Sequence, residues 1–147
     1  MEPQIVDKGE LKLDVKPGGI TAAQLQVALR KILNKENATI TVEASGQTSS
    51  GLVRNGASVT VTSENEILKY TIIIMGDVNC NGETDAGDMG LMRKHFQGVR
   101  TLTGAALTAA DTSQNGEIDA GDMVRNRMKF QNWNSFKTVS GVIRVDE

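Results

Sequence analysis

Two short stretches of the sequence place side-chain oxygens at the same spacing. They are residues 77–88 and 111–122, and each carries an oxygen donor at its first, third, fifth, ninth and twelfth positions. The donors are Asp77, Asn79, Asn81, Asp85 and Asp88 in the first stretch, and Asp111, Ser113, Asn115, Asp119 and Asp122 in the second. A hard cation such as Ca²⁺ takes about six to eight oxygen ligands, and this spacing wraps the donors around one point. Because every donor is oxygen, zinc and copper fit poorly, and Mg²⁺ would demand a tighter octahedral geometry.

The backbone of both stretches favours the same chemistry. The sixth position is a glycine, Gly82 or Gly116, where the chain must turn sharply with a positive φ. The seventh position, Glu83 or Glu117, would offer its backbone carbonyl. An Asp/Asn/Gly cluster is usually only a polar turn, but a second copy with every ligand position filled argues against that alternative. The sequence therefore predicts two Ca²⁺ sites.

Each loop is expected to run directly into a helix. Residues 77–98 align with residues 111–132, so one supersecondary unit is used twice. The predicted helices span 86–98 and 120–132, and the side chains expected to face inward are Met89, Met92, Phe96, Met123 and Phe130. A β-branched run precedes the first loop, and residues 103–110 leave room for two helical turns at most before the second. This pattern disfavours a sensor EF-hand, which needs a helix on both sides of each loop.

The first half of the chain is predicted to be a small α+β unit. Alternating apolar and polar residues indicate strands at 9–16, 38–44 and 57–63, and the apolar run 66–75 is typical of a central strand. Thr21 and Gln24 form a capping-box pair at the start of a predicted helix over 22–34. The predicted fold class is therefore an α+β N-terminal module, a small sheet plus one helix, followed by a small all-α unit with two calcium-binding loop–helix repeats.

Composition excludes several function classes. The 147 residues carry a net charge of -2 with both signs mixed along the chain, which argues against nucleic acid binding. No apolar run approaches the roughly 18 residues that a membrane helix needs, so no membrane insertion is expected. One Trp and one Tyr give poor support for direct polysaccharide binding. The first half has no Cys or His, and no catalytic constellation is visible, so we expect no enzymatic activity.

Composition alone does not determine the cellular compartment of the protein. The start of the chain is polar and lacks a signal peptide, which predicts either a cytoplasmic protein or a piece of a longer secreted chain. Cys80 is the single cysteine and cannot form an internal disulfide; it is expected to be an exposed bystander in the first loop. The single histidine, His95, is expected on the surface. Trp133 and Phe136 are expected to close the core or clasp the ends of the second half.

The duplicated segment resembles a dockerin, the calcium-folded module by which cellulosomal proteins bind cohesins. The family pattern D-x-N-x-D-G-x-x-[ND]-x-x-D is matched at 77–88 and 111–122, with Asn at the fifth position of both loops and Ser at the third position of the second. Residues 9–75 resemble, more weakly, the X-type modules that precede some dockerins. The resemblance implies an X-type module over 1–75 and a dockerin domain over 76–147. It also implies a protein that is extracellular and associated with a cellulosome or a cell surface.

The resemblance further implies the surface that binds a partner, a cohesin module of a scaffoldin or cell-surface anchoring protein. The family's contact positions fall on Ala86, Gly87, Arg93, Lys94 and Gly98 in the first segment, and on Ala120, Gly121, Arg127, Met128 and Asn132 in the second. The best-known dockerin class has Ser-Thr where this chain has Ala-Gly twice, which suggests a different cohesin specificity. The two segments differ at Lys94/Met128 and at Gly98/Asn132, from which we hypothesise a single preferred binding orientation.

Three other classes of function are weighed against adhesion. An EF-hand-like calcium sensor or buffer without a cohesin partner is the main alternative, and it would change conformation strongly with calcium. A carbohydrate-binding module would retain polysaccharide. A hydrolase would need a paired-carboxylate or nucleophile site, whereas the carboxylates grouped here are committed to the loops. The sequence leaves open the cohesin class, the parent protein, and whether residues 9–75 touch the cohesin.

Overall fold

The computed structural model describes residues 4–145, so the outermost ends of the two predicted domains, residues 1–3 and 146–147, lie outside the described residues. In chain order the elements are β1 (Ile5–Asp14), α1 (Ala22–Ile32), β2 (Thr39–Val42), β3 (Ala57–Ser63), β4 (Glu66–Ile74), α2 (Ala86–Phe96), α3 (Gly104–Ala110), α4 (Ala120–Gln131) and β5 (Ile143–Arg144). Within 4–145, none of the helices combines the length and the apolar character needed to cross a membrane. The five strands form one sheet in the order β2-β3-β4-β1-β5. Strand β1 runs parallel to both β4 and β5, and the other pairs are antiparallel.

Helix α1 covers one face of the sheet, as predicted. Its capping box is present: the Thr21 hydroxyl accepts from the Gln24 amide at 3.2 Å, and the Gln24 side chain accepts from the Thr21 amide at 2.9 Å. Leu25 and Leu29 are fully buried in the main core, together with the β4 side chains on the same face. The helical spacing of the apolar residues therefore predicts both the helix and the face that packs.

The C-terminal end of strand β4 is buried on both faces, which explains the run of three isoleucines at 72–74. Ile72 and Ile74 point into the main core beneath α1. Ile73 and Met75 point to the opposite side, where they pack with Ala109 of α3. A strand segment covered on both faces has no solvent-facing side for polar residues, so residues 72–75, at the end of β4 and just after it, are all apolar. The second half of the chain supplies the cover on the second face.

The predicted fold class, an α+β module followed by a small all-α dockerin, is wrong. The chain is a mixed α/β protein whose helices are spread along its length and whose second half contributes a strand to the shared sheet. Strand β5 pairs in parallel with the end of β1, joining Leu13 to Ile143 and Asp14 to Arg144. The physical reason for the error is that β5 is only two residues long and pairs with β1, near the other end of the chain, so no local sequence pattern predicts it.

The segment after α4 is fixed in position by two arginine side chains that stack on aromatic rings. The Arg144 guanidinium lies 3.8 Å from the centroid of the Trp133 ring and donates to the Trp133 carbonyl at 2.9 Å and to the Phe136 carbonyl. The two aromatic rings stack with centroids 6.0 Å apart, and Arg125 lies 4.8 Å from the Phe136 centroid. These contacts fix the chain that leads into β5.

A buried lysine joins the two halves. Lys129 of α4 is 1% exposed, and its ammonium donates to the Met75 carbonyl and lies 3.6 Å from the Asp14 carboxylate of β1. Burial lowers the pKa of the Lys129 ammonium below its usual range, while the nearby Asp14 carboxylate opposes that shift. The pair therefore ties α4 to the ends of β1 and β4 at the cost of desolvating two charged groups.

We predict that Lys129→Met strongly destabilises the fold. The methionine keeps most of the buried stem but leaves the Asp14 carboxylate buried without its cation, so we expect a loss of about 3–5 kcal/mol in the free energy of unfolding. Urea denaturation in excess Ca²⁺ measures this, with Lys94→Met on the exposed side of α2 as the control. A change below about 1 kcal/mol for Lys129→Met, in the range of surface substitutions, would show that the pair contributes little.

Candidate metal-binding loops

The first loop is organised by two buried carboxylates. Asp77 is fully buried and accepts from the Asn81 amide at 3.0 Å and from the Gly82 amide at 2.9 Å. Asp88 is also fully buried and accepts from the Asn79 amide at 3.0 Å and from the Asp85 amide at 2.9 Å. The first and last acidic residues thus fold the loop back on itself.

The other predicted donors of the first loop lie at its surface. The side-chain oxygens of Asn79 and Asn81 accept from amides two residues further along, at 3.3 and 3.0 Å. Asp85 is the N-cap of α2, and its carboxylate accepts from the Gly87 amide at 3.0 Å. The Glu83 side chain is exposed. The capping box between Asp85 and Asp88 explains why the loop runs into a helix without a break.

The second loop repeats this arrangement with more exposure. Asp111 accepts from the Asn115 amide at 3.3 Å and from the Gly116 amide at 2.9 Å. Asp122 is fully buried and accepts from the Ser113 amide at 2.9 Å and the Ser113 hydroxyl at 2.8 Å.

Its remaining donors complete the parallel with the first loop. Asp119 caps α4 in a capping box with Asp122. The Asn115 side-chain amide lies 3.4 Å from the Asp119 carboxylate, and the Glu117 side chain is exposed. The two loops therefore share the backbone-amide hydrogen bonds to their first and last acidic residues.

Burial raises the pKa of three of these carboxyl groups. The pKa of Asp88 rises to about 7, chiefly because burial penalises its charged form. The pKa values of Asp77 and Asp122 are also raised, again mainly by burial and despite the backbone amides that favour the charged form. A cation placed among such carboxylates would offset the cost of burying their charge.

The donor chemistry of the loops fits a hard cation. Carboxylate and amide oxygens lie in both loops, and the second adds the Ser113 hydroxyl, whereas the Cys80 sulfur contacts the Val78 carbonyl at 3.8 Å and is not one of the loop donors. Within residues 4–145, no group of three or more His, Cys, Asp or Glu side chains converges into a metal site. An ion would therefore draw on Asn, Ser and backbone oxygens as well as on carboxylates. The residues present fit calcium on these terms.

Helices α2 and α4, with the residues that directly follow them, carry the predicted partner-binding residues at exposed positions. All ten side chains or glycines are exposed: Ala86, Gly87, Arg93, Lys94 and Gly98 in the first segment, and Ala120, Gly121, Arg127, Met128 and Asn132 in the second. The prediction that Phe96 faces inward is wrong, because it is 54% exposed, whereas Met89 and Met92 are buried as predicted. Phe96 lies at the end of α2, where the chain turns away before it can be covered.

Exposed apolar side chains lie beside these positions. Val124 and Met128 are 54% and 49% exposed and are four residues apart on one side of α4. Val99, just after α2, is 72% exposed. Val124 and Met128 thus form an exposed apolar pair beside Arg127 on α4.

Three buried polar residues of this region were missed by the sequence analysis. Asn55 donates its backbone amide to Asp77 at 2.9 Å, although it lies in the first half of the chain. Asn126 of α4 is fully buried and donates to the Gly76 carbonyl at 3.3 Å. Lys129 is the third. The Asn55–Gly56 pair predicts only a turn. Asn126 and Lys129 replace Met92 and His95 of the first repeat, so the repeat pattern that marks the ligand positions does not mark them.

The single histidine has a structural contact. His95 is partly buried, and its Nδ1 accepts from the Leu102 amide at 3.0 Å. It therefore fixes the turn between α2 and α3 and differs from the exposed side chain that was expected.

Residues 75–128 match the family model described as dockerin type I domain. The match spans both loops and α2 and ends within α4, so it covers less than half of the chain. No curated protein and no solved structure matches the sequence. Dockerins are in general non-catalytic, calcium-dependent modules that bind cohesins. The segment that contains the paired loops, residues 75–128, is therefore similar to dockerin type I domains.

Proposed function

We propose that this chain is a non-catalytic, calcium-dependent adhesion module that binds a cohesin of a scaffoldin or cell-surface anchoring protein. It would hold a secreted parent protein in a cellulosome or at a cell surface, in the setting of polysaccharide degradation. The observation that carries the proposal is the pair of like-built loops, each running into a helix, within the segment that matches the dockerin model. We further propose that residues 1–75 act as an X-type module and residues 76–147 as the dockerin domain.

Each loop is proposed to hold one Ca²⁺. In the first loop the ligands would be side-chain oxygens of Asp77, Asn79, Asn81, Asp85 and Asp88 with the Glu83 carbonyl. In the second they would be side-chain oxygens of Asp111, Ser113, Asn115, Asp119 and Asp122 with the Glu117 carbonyl. The bound ions would supply the positive charge that offsets these carboxylates. The chain's own part is to hold the first and last acidic side chains of each loop through backbone amides, so that little reorganisation accompanies binding.

The cohesin is proposed to bind across α2 and α4. The exposed Arg93 and Arg127 occupy equivalent positions on the two helices, and Arg is enriched in protein interfaces. The small Ala-Gly pairs at the start of each helix allow a partner backbone to approach closely. The apolar side chains of Val124 and Met128 give α4 a centre that could be desolvated by a partner.

We propose one preferred orientation of the complex. Where α4 presents the apolar Met128, α2 presents the charged Lys94, and both are exposed. A partner that desolvates Met128 would have to desolvate an ammonium if it bound the other way round, which is costly. The difference between the two copies is therefore a specificity element as well as a sequence difference.

A calcium sensor or buffer is the alternative function. It is favoured by α3, which ends at Ala110 and so gives the second loop a helix on each side. It is disfavoured by β4, which leads into the first loop as a strand packed into the sheet. An element packed on both faces resists the helix opening that a sensor uses.

The calcium assignment predicts the number of ions bound. Isothermal titration of the EGTA-treated chain should give two Ca²⁺, and Asp88→Asn or Asp122→Asn should each remove one, because each substitution takes a charged ligand from a different loop. Glu83→Ala and Glu117→Ala are the matched controls, since only their backbone carbonyls are proposed as ligands. Loss of an ion in either control would contradict the assigned ligands, and no calcium uptake by the unmodified chain would overturn the function.

Calcium should also raise the stability of the whole chain. Ligand that binds only the folded state adds about 2.7 kcal/mol at a hundred times its dissociation constant, for each independent site. The thermal midpoint should therefore rise as calcium is added to the EGTA-treated chain, and by less in Asp88→Asn and Asp122→Asn. A midpoint that does not move with calcium would contradict calcium-coupled folding.

The orientation proposal predicts unequal contributions of the two helices to cohesin affinity. With a cohesin selected from a panel by titration against the calcium-loaded chain, Arg127→Ala with Met128→Ala should weaken binding more than Arg93→Ala with Lys94→Ala. We expect a difference of at least about tenfold, the effect of about 1.4 kcal/mol. Equal and individually mild losses from Arg93→Ala and Arg127→Ala, severe only when combined, would show two equivalent orientations.

A further inference from the structure

The two loops differ in what surrounds them, although the backbone-amide hydrogen bonds to their first and last acidic residues are alike. Asp77 is fully buried, and the same carboxylate oxygen accepts from the Gly82 amide and from the Asn55 amide, both at 2.9 Å. Its counterpart Asp111 is partly exposed, and the hydrogen bonds described for its carboxylate come from the loop's own Asn115 and Gly116. The first half of the chain therefore contributes a donor to one loop.

Asn55 is itself fixed by two elements. It is 3% exposed, and its side-chain oxygen accepts from the Ile74 amide at 2.9 Å, while its side-chain amide donates to the Ala105 carbonyl of α3 at 2.8 Å. These bonds orient the residue so that its backbone amide points at Asp77. The side chain thus sets the position of a donor that it does not itself provide.

Backbone atoms of the first half of the chain also lie against the first loop. The Thr84 amide donates to the Pro17 carbonyl at 2.9 Å. A Cβ at Gly82 would lie 2.9 Å from the Leu52 Cβ and 3.1 Å from the Val53 carbonyl, and a Cβ at Gly19 would overlap the Gly82 carbonyl. A Cβ at Gly116, the same position in the second loop, meets nothing within 4 Å. One loop is enclosed, and the other is open at this point.

We infer that Asn55, together with the backbone at Gly19, is a positioning element for calcium in the first loop. The inference rests on the proposed function, because it assumes that the loop binds Ca²⁺. A donor held outside the loop fixes the carboxylate of Asp77 before an ion arrives, and partners of metal ligands commonly set metal affinity. The two sites are then unequal, and the first depends on residues outside the segment that matches the dockerin family. By linkage, calcium in the first loop stabilises the position of Asn55 to the same extent.

The test isolates each loop within the full chain. In the Asp122→Asn background only the first loop binds calcium, and in the Asp88→Asn background only the second does. We expect Asn55→Ala to weaken calcium binding about 10- to 100-fold in the first background and to leave it unchanged in the second. Equal weakening in both backgrounds would show that Asn55 acts only on the fold, and no weakening in either would also overturn the inference.

A second pair of variants tests the close approach of Gly19 to the first loop and leaves the hydrogen bonds of Asn55 intact. Gly19 and Gly51 have nearly the same positive φ, +86° and +88°, so alanine is strained at both, but only Gly19 lies against the first loop. In the Asp122→Asn background, Gly19→Ala should weaken calcium binding and Gly51→Ala should not. Equal effects of the two substitutions would mean that backbone strain alone is responsible. This pair decides the matter if Asn55→Ala does not fold.

Hydrogen exchange gives a readout that does not depend on affinity. Exchange of the Asn55 backbone amide should slow on calcium addition in the Asp122→Asn background and remain unchanged in the Asp88→Asn background. Protection of this amide by calcium in the second background would contradict the inference. Failure of the unmodified chain to bind any calcium is a different result, because it removes the proposed function itself.

Discussion

The buried carboxylate of Asp77 is the constraint on which the arrangement of both halves depends. A charge with no exposed surface must be compensated, or the group stays protonated. Here the compensation comes from three backbone amides, two of the loop and one of Asn55, and from the field of the buried Lys129. Those groups belong to the loop, the first half of the chain and α4, so one acidic side chain requires all three to meet.

The two repeats agree where they would bind ions and differ where they meet the rest of the chain. The positions of the side-chain ligands carry Asp or Asn in both copies, apart from Ser113, which replaces Asn79. In contrast, Met92 of α2 corresponds to Asn126 of α4, and His95 corresponds to Lys129. Both α4 residues are buried and contact the junction at 75–76. The two copies therefore share their loop chemistry, while the helix of the second copy also contacts the ends of β1 and β4.

Local patterns predicted the parts of the structure that depend on neighbours in sequence. The capping box at Thr21, the strand over 57–63 and the helices after each loop follow from spacing alone, and the structure shows each of them. Strand β5 and the burial of Lys129 depend on residues from distant parts of the chain, and a lysine in a helix is expected on the surface. The carboxylate spacing marked the loops, but the contribution of Asn55 has no signature beyond an Asn-Gly turn.

The unit that holds the first loop is consequently larger than the family match. A boundary drawn at residue 75 would separate Asp77 from the Asn55 amide and remove the Pro17 carbonyl that accepts from Thr84. It would also uncover Ile73 and Met75, which pack against α3 from the sheet side. Hydrogen bonds and an apolar contact would both be lost at that boundary. The first half is therefore part of the structural support of the metal-binding segment, because it provides both the donor to a candidate ligand and the surface on which that segment packs.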